Sequence, residues 1–505
     1  MLRAKFHLCI ALLIAIVAPI PVAAEALPSV TMLNLIYRMS KANAGDDVQQ
    51  QLGDVDARLQ AARAAGQAGE VRRQLARGLA LATTGAWSEA QEYNASLVLR
   101  VDQTYADPTS PVMLRLSQIF PATLPGAIRA TARATLHEPS RRSRMGEEVG
   151  NKLRDLGELA DIGLDLVETP TIMQVDLVEI VEGDYQVRFE LFDGDKSLGS
   201  AGTPLSIRPD VNARTSRLRQ SAGRASATLR PEILYPLDYM RKIDTGLVQA
   251  RGFDVDTELI AAEAVAKAAA QGSDPFTGRT GDFERHYLLE AADEIMPYRI
   301  YVPENYPKEG QYPLIVALHG LGGNEDSMFG AFYGMTPLAE SHGYIVVAPM
   351  GYRRDGGYGG FGQQSISRRA QLSEADVLEV LARTRAEYAI DPERIYLMGH
   401  SMGAIGTWRI ASRHPEIWAG LGPIAGFGDP RTAQTIRHIP QIVIHGDADL
   451  TVPVTGSRAM VEALRKLEAE VTYIEVPGGG HSDIAPTNMP AMFEFFDSHR
   501  RSAMR

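Results

Sequence analysis

Residues 283–500 predict an α/β fold with a mainly parallel sheet, preceded by a mixed helical and β-rich accessory region. Three observations carry this. First, short apolar runs (Pro313 to Leu318, Tyr344 to Ala348, Arg394 to Met398, Gly420 to Ala425, Gln441 to Ile444, Val471 to Val476) alternate with helical patterns at Ser373 to Tyr388, Ala404 to His414 and Ser457 to Leu467. Strands alternating with helices imply a parallel sheet covered on both faces. Second, the preceding region has a different texture, helix-spaced at first and then strictly alternating at Tyr185 to Leu191. Third, a turn-dense linker, Gln271 to Asp282, separates the two. His286 to Glu290 and Tyr298 to Val302 read as an antiparallel edge pair of the sheet.

A chain of 505 residues is too long for one ordinary core. The divisions expected are 1–24, a leader; 25–92, helical; 93–210, β-rich; 211–282, helical with the linker; and 283–500, the α/β domain. The leader pairs Arg3 and Lys5 with an apolar run from Leu8 to Val17, broken by Pro19 and Pro21, and Val22-Ala23-Ala24 offers a cleavage site before Glu25. The run is shorter than the roughly 20 residues a spanning helix needs, so export to the periplasm or outside is expected, without stable membrane insertion after cleavage. The one cysteine, Cys9, lies in this leader, which excludes cysteine chemistry and disulfides from the mature chain. Net charge is −11, and losing the two positive charges of Arg3 and Lys5 takes it to −13. Such acidity argues against a nucleic-acid partner or an anionic membrane surface.

In the helical region, Val48, Leu52, Val55 and Leu59 share one helix face, with Gly66 and Gly69 interrupting the pattern; two or three helices are expected. In the β-rich region the runs Ile172 to Val181, Tyr185 to Leu191 and Leu198 to Ile207, joined by Glu182-Gly183-Asp184 and Asp193-Gly194-Asp195, suggest a three-stranded meander. The Asp193 and Asp195 pair reads as a hairpin turn, because the glycine spacing and distal glutamate of a calcium loop are missing.

Gly399-His400-Ser401-Met402-Gly403 fits a strand-to-helix turn that presents a serine nucleophile, with glycines where side chains have no room. The pattern alone is unspecific, but a buried-strand candidate precedes it and a helix candidate follows. A serine of this kind needs a base and an acid later in the chain. Gln441 to Ile444 ends in His445-Gly446-Asp447-Ala448-Asp449, and Val471 to Val476 ends in Pro477-Gly478-Gly479-Gly480-His481. His481 is taken as base and Asp449 as its orienting acid, with Asp447 the alternative acid or a brace of the turn. His319, His400 and His445 are assigned structural roles. The oxyanion donors expected are the backbone N–H groups of Met402 and of Leu321, the latter in the loop His319-Gly320-Leu321-Gly322-Gly323. Tyr352, Arg353, Tyr358 and Phe361, in the excursion Met350 to Leu372, are candidates to line the mouth of the site or to form a plain surface loop.

These motifs, together with Ile390-Asp391-Pro392-Glu393-Arg394-Ile395-Tyr396, resemble the polyhydroxybutyrate-depolymerase and feruloyl-esterase group of α/β-hydrolases, which borders on the prolyl-oligopeptidase-like hydrolases. The resemblance covers about 220 residues. It implies hydrolysis of small or polymeric carboxylic esters through an acyl-enzyme at Ser401, with Asp449 and His481, and with no metal or organic cofactor. Two other readings stay open: a serine peptidase of the prolyl-oligopeptidase-like type, and a binding or adhesion protein with an inactive hydrolase domain. Oligomeric state and the role of residues 25–282 are not legible.

Overall fold

The structure is a computed structural model that describes residues 30–126, 129–139, 141–143, 146–306, 310–360 and 367–501. The leader, Cys9 and Phe361 lie outside the described residues. The chain divides into two compact units, one of residues 1–220 and 236–263, the other of 221–235 and 264–505.

In the first unit, α1 (Val30–Ala42), α2 (Asp46–Ala64) and α3 (Ala68–Thr84) bury one face each around Tyr37, Leu52, Leu59, Leu75 and Leu79. Gly66, at φ +67°, makes the turn between α2 and α3, while Gly69 falls inside α3. Helix α4 (Glu89–Ser96) starts at Ser88, whose side chain accepts from the Gln91 N–H while Gln91 caps Ser88 in return. Ten strands follow: β1 (Leu97–Val101), β2 (Tyr105–Ala106), β3 (Val112–Gln118), β4 (Arg129–His137), β5 (Arg141–Ser143), β6 (Gly146–Glu148), β7 (Lys152–Gly163), β8 (Thr171–Val175), β9 (Gly183–Asp193) and β10 (Lys196–Ile207). They form sheets of order β1-β3-β8 and β2-β10-β9-β4-β7, with β5-β6 as a separate pair. The two larger sheets share a core that includes Leu99, Leu116, Phe189, Leu191 and Leu205.

The expected meander is half right. β9 and β10 pair across Asp193-Gly194-Asp195 as read, with Gly194 at φ +61°. β8 pairs with β3 in the other sheet instead, because the run from Ile172 stops being a strand after Val175 and turns, with Ile180 N–H bonded to the Leu177 carbonyl. Three helices follow in chain order: α5 (Val211–Ala222), α6 (Leu229–Asp244) and α7 (Val255–Ala270).

The second unit carries β11 (Gly281–Leu289), β12 (Glu294–Val302), β13 (Tyr312–Leu318), β14 (Ile345–Pro349), β15 (Ile390–His400), β16 (Gly420–Ile424), β17 (Gln441–Gly446) and β18 (Val471–Val476). They make one sheet of order β11-β12-β14-β13-β15-β16-β17-β18, antiparallel at β11 and β12 and parallel from β14 onward. This is the α/β-hydrolase arrangement expected. Its helices are α8 (Met335–His342), α9 (Arg368–Glu387), α10 (Met402–Arg413), α11 (Ala433–Ile436), α12 (Thr455–Lys466) and α13 (Ile484–Asp497). Ile315, Ala317, Val346 and Met398 share one core with Met335 of α8 and Phe493 and Phe496 of α13. Leu314, Val316 and Leu318 point to the opposite face and are equally buried, so both faces are covered.

Register decides where the site can be. Leu318 lies opposite Gly399, His400 opposite Ile424, Ile424 opposite Ile444, and Gly446 opposite Val476. The parallel strands therefore end level with one another, and the loops that follow them open on one edge.

Candidate active site

β15 passes into α10 through a single residue. That residue, Ser401, has φ 58° and ψ −115°, a conformation costing a non-glycine residue roughly 1–3 kcal/mol. Neighbouring backbone holds it: Ser401 N–H donates to the Ile424 carbonyl at 2.8 Å. The flanking glycines are obligatory for reasons of space. A Cβ on Gly399 would lie 2.4 Å from the Gly403 carbonyl carbon, and one on Gly403 would lie 2.1 Å from the Leu318 carbonyl oxygen. The serine is thus lifted at the N-terminus of α10, where Met402 begins the helix with an N–H that the helix cannot pair.

The loops after β17 and β18 lock together backbone to backbone. Asp447 N–H donates to the Val476 carbonyl at 3.1 Å and Ala448 N–H to the Gly479 carbonyl at 3.0 Å. A Cβ on Gly446 would come within 2.2 Å of the same Gly479 oxygen. This junction brings Asp449 to His481, whose Nδ1 is 2.7 Å from Asp449 Oδ2 and whose Nε2 is 2.9 Å from Ser401 Oγ. The other carboxylate oxygen, Oδ1, accepts from the N–H groups of Thr451 (2.8 Å) and Val452 (2.9 Å). Burial pushes the Asp449 carboxyl up, but hydrogen bonds from His445 and His481 outweigh it and hold the group well below the usual carboxylate range. Asp447, in contrast, is exposed and its Oδ1 accepts from Gly478 N–H at 2.6 Å, the loop-bracing arrangement weighed as its alternative.

The loop after β13 closes the site from the other side. A Cβ on Gly320 would lie 3.4 Å from Ser401 Cβ, so this backbone runs directly beside the serine. Gly322 N–H turns away to the Arg354 carbonyl (2.8 Å) and Gly323 N–H back to the Gly320 carbonyl (3.0 Å). His319 is buried, with Nε2 2.8 Å from the Met350 carbonyl, and burial lowers its pKa. His400 donates from Nε2 to the His481 carbonyl (2.8 Å) and accepts at Nδ1 from the Tyr333 hydroxyl (2.9 Å). Burial first, and then the nearby His481, lower its pKa to about 4, so it works as a neutral clamp on the loop carrying His481.

Of the described mouth-lining candidates, Arg353 and Tyr358 are buried and Tyr352 is tied to Glu294. Tyr358 has no exposed surface, and its ring occupies the space beside Gly351 and Gly406, where a Cβ would approach within 2.6 Å. Arg353 is buried too, forked onto Glu294 at 2.8 and 2.9 Å and stacked over the Tyr352 ring at 4.0 Å. The Tyr352 hydroxyl donates to the same Glu294 at 3.0 Å, and its backbone N–H donates to the buried Asp376 at 2.6 Å. Arg354 and Tyr358 meet the Gly320 loop directly, the first through the bond from Gly322 N–H and the second with its ring edge-on to His319 at 5.7 Å. Two residues in contact with the site were not singled out as partners of it from sequence: Tyr333, which holds His400, and His445, which shares Asp449 with His481.

Residues 290–493 match the family described as "Putative esterase". The chain is 32% identical over 132 residues to poly(3-hydroxyalkanoate) depolymerase C of Paucimonas lemoignei, covering 25% of this chain and 30% of that one. It is 28% identical over 128 residues to feruloyl esterase B of Talaromyces stipitatus, covering 25% and 35%. A longer match, 27% over 284 residues, joins it to cutinase cut1 of Thermobifida fusca, covering 54% and 83%. The chain thus spans about a third of the depolymerase and of the feruloyl esterase. Among solved structures, a thermostable esterase aligns at 17% identity and a TM-score of 0.40, over 80% of this chain and 100% of that one. The family match and these relatives bear out the resemblance of residues 290–493 to the depolymerase and feruloyl-esterase group.

Proposed function

We propose that the protein hydrolyses carboxylic esters through an acyl-enzyme on Ser401, as an exported enzyme. One observation carries the reading: the unbroken hydrogen-bonded series Ser401–His481–Asp449 at a strained serine that opens a helix. His481 Nε2 takes the Ser401 proton as Oγ attacks the ester carbonyl, and Asp449 stabilises the ring proton at Nδ1. The carbonyl oxygen, now negative, accepts from the N–H groups of Met402 and Leu321, the Gly322 and Gly323 N–H groups of the same loop being taken by the Arg354 and Gly320 carbonyls. His481 then returns the proton to the departing alcohol oxygen. Water, deprotonated by the same ring, attacks the acyl carbon and frees the acid and Ser401.

The family match and the esterase, depolymerase and cutinase names of the relatives support an ester over a peptide bond as the scissile link. Between β16 and β17 the chain inserts only the short helix α11 and a single 3₁₀ turn, which suits an uncapped site reached by bulky or polymeric esters. Export rests on the leader pattern, and among the described residues no helix is long and apolar enough to cross a membrane. The test is twofold. A fluorophosphonate should label the wild type and not Ser401→Ala, and that variant should lose about 10⁴-fold or more in turnover of a short p-nitrophenyl ester. An unlabelled, inactive wild type would favour the binding-protein reading.

A further inference from the structure

We infer that His445 is a positioning residue of this site, a second histidine that holds the Asp449 carboxylate through its Nε2–H. The inference rests on Asp449 being the acid of the hydrolytic site. His445 is the fifth residue of β17 and has no exposed surface, so its polar atoms must be paired inside the protein.

Nε2 lies 2.9 Å from the Val452 carbonyl and 3.2 Å from Asp449 Oδ2, two oxygens that only accept, so Nε2 carries a proton. Nδ1 lies 2.7 Å from Ser457 Oγ, and that hydroxyl is itself 2.9 Å from the Gly426 carbonyl. Ser457 thus ties the far side of the ring to the backbone after β16, so the ring is held on both sides and its Nε2–H is aimed at Asp449.

Two consequences follow for the reaction. Asp449 is gripped by four donors, His481 and His445 on Oδ2 and the Thr451 and Val452 N–H groups on Oδ1, which fixes the plane of the carboxylate and with it the ring of the base. The series Ser457–His445–Asp449 also ties the carboxylate to α12 and to the backbone after β16, so its placement does not depend on the β17 loop alone.

The experiment measures kcat and KM separately for the full-length wild type, His445→Gln and His445→Ala on a soluble p-nitrophenyl ester, with thermal unfolding to check the fold. Gln restores a donor to Asp449, and its kcat should fall only several-fold. Ala loses the donor and should cost about 10²-fold in kcat with KM little changed. A folded His445→Ala with wild-type kcat, or a folded His445→Gln as slow as His445→Ala, overturns the positioning role. If Ser401→Ala is as active as the wild type, the hydrolytic reading itself fails, whatever the His445 variants do.

Discussion

Replacing Asp449 by asparagine discriminates sharply between the two carboxylates of the β17 loop, because the consequence can be worked out atom by atom. An asparagine there has one acceptor and one donor end. If its oxygen keeps the Thr451 and Val452 N–H groups, its NH₂ faces His481 Nδ1 and His445 Nε2, the positions that now receive their protons. His481 can answer only by accepting at Nδ1, which puts its proton on Nε2 against Ser401 and removes the base. If the amide turns the other way, two half-buried backbone donors lose their partner, at up to about 1–3 kcal/mol each. Both outcomes cost the enzyme, and the first is the cheaper. The wrong tautomer is worth about 10⁴-fold in kcat, or roughly 5.5 kcal/mol of barrier. Asp447→Asn keeps an oxygen for the Gly478 N–H at the surface and should lose no more than a few-fold. The assay is steady-state hydrolysis of a p-nitrophenyl ester on the pH plateau, with melting curves for both variants. Loss of 10³-fold in a folded Asp447→Asn, with Asp449→Asn within tenfold of wild type, would refute the assignment of the acid.

Three further outcomes can be measured. Gly403→Ala sets a methyl 2.1 Å from the Leu318 carbonyl oxygen, so α10 must shift; we expect a lower melting temperature, from roughly 1–3 kcal/mol of overpacking, and at least 10²-fold slower turnover because Ser401 moves with the helix. Glu232→Ala removes the partner of buried Arg285 Nε (2.7 Å) and of His286 N–H (3.0 Å) and should cost about 3–5 kcal/mol, and a fragment beginning at Phe283, which also lacks Glu232, should melt correspondingly lower than the parent. Asp244 is raised by burial to about 6, against the hydrogen bond from Thr104 N–H, so between about pH 4 and 6 the native state holds a proton that the unfolded chain has released. Stability of the first unit should therefore fall as pH rises through that window, by up to about 3 kcal/mol, and Asp244→Asn should flatten this dependence in melts at pH 4 and 7.

The elbow, the order of the three site residues and the parallel sheet were legible in the sequence because each is written in local chemistry. Gly399 and Gly403 are glycine because a Cβ at either position collides with backbone, and Asp449 and His481 follow apolar runs that can only be strands. What stayed hidden depends on partners distant in the chain. Alternation in Ile172 to Val175 tells which residues face a core and is silent about whether β3 or β9 lies alongside. Tyr358 among glycines reads equally well as a surface loop, until Gly351 and Gly406 are seen to make room for its ring. His445 precedes a glycine and reads as structural, and it does lie in β17; its role appears only when Asp449 on one side and Ser457, twelve residues on, on the other are seen to hold its ring. The same contrast explains where this site is open to change. Residues held by local backbone geometry admit almost no substitution, whereas His445 is held by a count of donors and acceptors, which a side chain of similar reach can partly satisfy. Exchange of His445 for glutamine should therefore slow the enzyme without abolishing turnover, while exchange at Gly399, Ser401 or Gly403 removes the site.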